Sequence, residues 1–239
     1  MKTPEQMIVI YQGQADNCLA NLDKSPIREN PYLVALNHKM AHQNLFGIGI
    51  TQWRFGLADP RPAMRRAYEV CRSASQLLPG TSSPEPLPSR FRFFDGVHLA
   101  VLLGEPVGPE INVPIEQCLR ESDVHTALDY ALALALARRQ PALIQATIAQ
   151  HKFARRLQLY QQTYETYGGL LGGDISLLTA AEENYKKRGR DNYYSEGFLV
   201  DGGRDYNGHA VDYRLATIIK ARGLEVSSVH RLPEGGGGG

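Results

Sequence analysis

The chain has 239 residues, 43% of them apolar, which is enough to build a core, and its 26 basic and 25 acidic side chains leave a net charge of +1. That balance excludes a global field drawing the protein to nucleic acid or to membrane. Cys18, Cys71 and Cys118 are odd in number and fit no zinc or redox spacing, so they read as buried thiols of a reducing cytosol rather than a disulfide framework.

The opening stretch, MKTPEQMIVIYQGQ, holds no apolar run of signal-peptide length, and the run Tyr130 to Ala137 falls far short of the ~20 residues that span a bilayer. A cytoplasmic protein without membrane contact is expected. Pro4 opens a first helix that places Met7, Ile10, Tyr11, Cys18 and Leu22 inward. Asn30 caps a second, begun by Pro31, with Leu33, Leu36, Met40 and Leu45 inward. Pro60 to Pro62 separates it from a third carrying Met64, Tyr68, Cys71 and Leu78. Four prolines between Pro79 and Pro88 predict a loop or hinge, and Arg90 to Phe94 predicts a short strand or an extended segment laid on the core.

Leu128 to Ala137 alternates leucine and alanine. Both are strong helix formers and β-branched residues are missing, so the stretch predicts a buried helix rather than a strand. Arg138 and Arg139 suit its C-terminal dipole, and Pro141 starts the next helix, through Leu143, Ile144, Ile148 and His151. Phe153, Leu157, Tyr160, Tyr164, Tyr167 and Leu171 recur at steps of three and four and form one stripe, with Arg155, Arg156, Gln158, Gln161 and Gln162 opposite. Gly172-Gly173 breaks this helix. Asp174 caps a further one running to about Lys187, with Ile175, Leu178, Ala181 and Tyr185 inward. Val211, Leu215, Ile218 and Arg222 mark a last helix, stopped by Gly223.

The pattern predicts an all-α fold with little or no β structure, built of stacked antiparallel helical hairpins. Each unit is about 35 residues, the length of tetratricopeptide-like α-solenoid repeats. The expected organisation is an N-terminal helical region (1–78), a Pro/Gly-rich connection (79–114), a C-terminal helical-hairpin region (115–232) and a disordered, glycine-rich tail (233–239).

Catalytic constellations are incomplete. His38 and His42 stand at i and i+4 as zinc-binding histidines do, but Lys39 occupies the place of the metalloprotease glutamate and no third ligand is evident. The run Gly168-Gly169-Leu170-Leu171-Gly172-Gly173-Asp174 lacks the lysine and hydroxyl of a phosphate-binding loop and reads as a helix–helix turn. The Asp201 to Gly208 stretch resembles a calcium loop only in its Asp-x-Asn-Gly piece, with Gly203 and Arg214 where acidic ligands belong. We therefore assign no catalytic residue, no cofactor and no metal. The informative stretch is 190–207, where Asp191, Glu196, Asp201 and Asp205 interleave with Tyr193, Tyr194, Phe198 and Tyr206. Aromatics give large contact area at low entropy cost, so these residues, with Glu182 and Glu183 just upstream, are the candidate partner-binding surface. The alternative role for the tyrosines is to pin this stretch to the helices beside it.

Three pieces of the C-terminal half carry a resemblance: Tyr160 to Asp174, ending Leu-Leu-Gly-Gly-Asp; Glu183 to Arg188, Glu-Asn-Tyr-Lys-Lys-Arg; and Asn207 to Gly223, with Val211-Asp212-Tyr213-Arg214-Leu215-Ala216 and Ala221-Arg222-Gly223. Over residues 125 to 225 the chain resembles the immunity protein 49 family of bacterial polymorphic-toxin systems. The resemblance implies a mostly helical antitoxin, made beside a toxin delivered between cells, often by type VI secretion, and binding it one-to-one without catalysis. A cytoplasmic chain then implies a cytoplasm-acting toxin. A nuclease is favoured, because carboxylates at 191–205 suit a basic nucleic-acid groove. The competing reading is a tetratricopeptide-like adaptor or peptide-sensing regulator.

Overall fold

The computed structural model describes residues 3–76, 92–121, 124–153, 157–191, 211–226 and 232. Among them the fold is all-α, without a strand. The chain divides into two compact units, the first within Met1–Pro114 and the second Ile115–Leu232.

The first unit starts with α1 (Pro4–Asn21), whose N-terminus is closed by a capping box in which Thr3 and Gln6 exchange side-chain and backbone hydrogen bonds. After the short α2 (Ser25–Arg28), α3 (Pro31–Phe55) begins where expected. Asn30 Oδ1 accepts from the N–H groups of Tyr32 and Leu33 at 3.1 and 3.3 Å, and Gly56 ends the helix at φ 61°. Its first turns are half-bare, whereas nearly every residue from Ala41 to Thr51 is buried. Leu36, expected inward, is exposed, because the core of this unit gathers on the C-terminal half of α3. There α4 (Arg61–Ser75) lies along α3, and α5 (Phe93–Leu103) lies along α4.

Of the stretch Arg90 to Phe94, Phe93 and Phe94 are helical rather than extended, while Arg90 and Phe91 lie outside the described residues. Phe93 is the first residue of α5, and both phenylalanines are buried by helical packing. Gly96 explains how closely α5 can sit: a Cβ there would lie 2.7 Å from Cys71 Sγ and 3.1 Å from Ile111 Cδ1. Helix α6 (Pro109–Glu121) follows, so two helices occupy much of the stretch 92–121. The prolines at 79–88 lie outside the described residues.

In the second unit the leucine–alanine run is helix α7 (Val124–Arg138), buried along Ala127 to Leu136 as its composition predicts. Helices α8 (Ala142–Gln150), α9 (Gln158–Gly172), α10 (Leu178–Asp191) and α11 (Tyr213–Arg222) complete it. Helix α9 packs against all four others. Tyr160, Tyr164, Tyr167, Leu170 and Leu171 on it are buried, so the predicted stripe is its core face, although Phe153 falls before the helix.

Gly168 and Gly169 are helical rather than part of a turn, and only Gly173 adopts a left-handed φ, 115°. The glycines admit close neighbours: a Cβ at Gly169 would collide with Leu177 Cδ1. Asp174 caps a 3₁₀ turn, Ile175–Leu177, that leads into α10, and Ile175, expected inward, is 63% exposed on that turn.

Candidate functional site

The sequence-predicted surface is only partly placed. Glu182, half-buried, and Glu183, exposed, sit on α10 just beyond the buried Ala181. Asn184 on the same helix reaches Thr166 Oγ1 on α9 at 3.4 Å. Asp191 is the last residue of α10 rather than the start of a loop. Tyr193, Tyr194, Glu196, Phe198, Asp201, Asp205 and Tyr206 lie outside the described residues.

The flank that follows is built in detail. Val211 is 7% and Asp212 1% exposed, and Asp212 is the N-cap of α11. Its Oδ1 accepts from the backbone N–H of Arg214 at 3.0 Å and of Leu215 at 3.3 Å, which closes the start of the helix. Its Oδ2 accepts from the Tyr167 hydroxyl on α9. Two residues on, Arg214 turns its guanidinium inward, 4.7 Å from the Tyr213 ring centroid, and donates from Nε to Asp129 Oδ1 at 2.7 Å. Asp129 also accepts from the Tyr164 hydroxyl and, at 3.3 Å, from the Tyr160 hydroxyl. The rings of Tyr160 and Tyr164 lie 4.9 Å apart, and those of Tyr164 and Tyr167 meet edge-on at 5.4 Å.

This network joins α7, α9 and α11 through groups that are almost dry: Arg214 is 2% and Asp129 8% exposed. Taking a charge that far from water is costly unless it is paired and hydrogen-bonded. Here each carboxylate accepts several donors, so the arrangement is a rigid tie. Sequence reasoning missed it. The signals were Asp129 as the one charge inside an apolar leucine–alanine helix, and Asp212 directly before the predicted α11.

The first unit holds a second buried polar group. His42 on α3 donates from Nδ1 to the Ala67 carbonyl of α4 at 2.9 Å, since a carbonyl can only accept. Its Nε2 lies 3.7 Å from Asp95 Oδ2 on α5, and Arg92 Nε approaches the same oxygen at 3.1 Å. His38, the other half of the i, i+4 pair, bonds its own helix instead, at Val34 O, 2.9 Å. The two imidazoles therefore serve separate carbonyls. Among the described residues no three His, Cys, Asp or Glu side chains gather in a metal-binding group. Burial, and next the Asp95 charge, hold the Cys71 thiol well above its ordinary range, which makes it a core group rather than a nucleophile.

Among the described residues no helix is long and apolar enough to cross a membrane. No protein-family model, curated protein or solved structure matches the chain.

Proposed function

We propose that this chain is an immunity protein that binds a cognate antibacterial toxin one-to-one and neutralises it by binding, without catalysis. One observation supports the reading above others. Two of the three sequence pieces that resemble the immunity protein 49 family, Tyr160–Asp174 and Asn207–Gly223, are far apart in the chain yet meet through Tyr167–Asp212 and through Tyr164–Asp129–Arg214. The shared residues thus act as one frame. That frame fixes α11 to α9 and sets the flank of the tyrosine- and carboxylate-rich stretch at 191–206. In this reading Glu182, Glu183, Asp191, Tyr193, Tyr194, Glu196, Phe198, Asp201, Asp205 and Tyr206 form the partner surface. The toxin acts in the cytoplasm, and a nuclease with a basic groove suits the carboxylates best.

The test uses the toxin domain encoded beside this chain's gene. Tyr193→Ala with Tyr194→Ala weakens binding strongly, by roughly thirtyfold for each tyrosine, because truncated interface tyrosines commonly cost ~2 kcal/mol each. Asp201→Asn with Asp205→Asn mainly lowers the association rate and its salt dependence. Melting temperature is measured on the same samples. Wild-type affinity in both folded variants removes this surface from the proposal, and unimpaired growth of a strain lacking this gene, with toxin delivery demonstrated, removes the immunity function.

A further inference from the structure

We draw no further inference here: the strongest candidate, the apolar surface patch at the start of α3 where Tyr32 and Leu36 share one helix face at 41% and 39% exposure, carries nothing because nothing in the structure shows what covers it.

Discussion

Replacing Arg214 by methionine tests the frame of the second unit directly. The side chain is 2% exposed and its carboxylate partner Asp129 8%, so the pair belongs to the buried regime rather than to surface pairs worth ~1 kcal/mol or less. Removing one member of a buried pair leaves an uncompensated charge, which costs about 3–5 kcal/mol. Two tyrosine hydroxyls still donate to Asp129 afterwards, and hydrogen bonds to a charged group contribute about 1.5–3 kcal/mol each. The expected loss is therefore near the lower end, about 3 kcal/mol. Asp129→Leu removes the carboxylate that the guanidinium and both hydroxyls share and costs at least as much. The double variant removes both charges and recovers part of the loss, leaving a coupling of about 2 kcal/mol. Urea unfolding followed by far-ultraviolet circular dichroism measures all four proteins. The single tryptophan, Trp53, lies in the first unit and reports that unit alone. An Arg214→Met cost below about 1 kcal/mol, or a double variant no more stable than the worse single one, would refute the argument.

Gly96→Ala brings a Cβ to 2.7 Å from Cys71 Sγ, so it destabilises the first unit by about 1–3 kcal/mol, and Cys71→Ala in the same chain relieves most of that loss in thermal unfolding. Glu110, in the first turn of α6, is held below the ordinary carboxylate range by its own backbone N–H and then by Arg72, half-exposed on α4. A lowered folded-state value stabilises above the unfolded value and is lost as pH falls through the folded one. Glu110→Gln should therefore cost about 0.5–1 kcal/mol at neutral pH and nothing in acid below that range, as read from unfolding curves at both pH values.

What the sequence disclosed followed from local rules. Asn30 and Gly223 closed helices where capping chemistry requires, and the stripe from Tyr160 to Leu171 identified the buried face of α9. Local rules failed where tertiary packing decides. The phenylalanines at 93 and 94 look like strand residues in isolation, yet they sit in a helix because α4 offers Cys71 opposite Gly96. Leu36 and Ile175 keep a helical period with inward neighbours, but their turns lie where no further helix among the described residues covers them. The buried network was the hardest to see. Its pairs are separated by 45 and 85 positions, and no single-sequence period links an aspartate in one helix with an arginine in another. The candidate partner surface was named from composition, and of it the structure places Glu182, Glu183 and the helical position of Asp191.

The longest of those links also bears on how the second unit unfolds. In a stack of helical repeats each unit touches only its neighbours, so a terminal helix can open without the rest. Here Arg214 on α11 is bonded to Asp129 on α7, with α8, α9 and α10 between them in the chain. Opening α11 alone would leave Asp129 without its cation and Tyr167 without Asp212, a loss of the same order as the stability of a small domain. The expectation is that α11 does not fray separately. Native-state hydrogen exchange should show amides of Leu215 to Ile219 exchanging with the same free energy as those of Ala131 to Leu134. Arg214→Met should lower both sets, and lower α11 further, because the link that ties it to α7 is gone. Wild-type exchange in α11 through an opening several kcal/mol easier than that of α7 would mean that the buried pair does not couple the two helices.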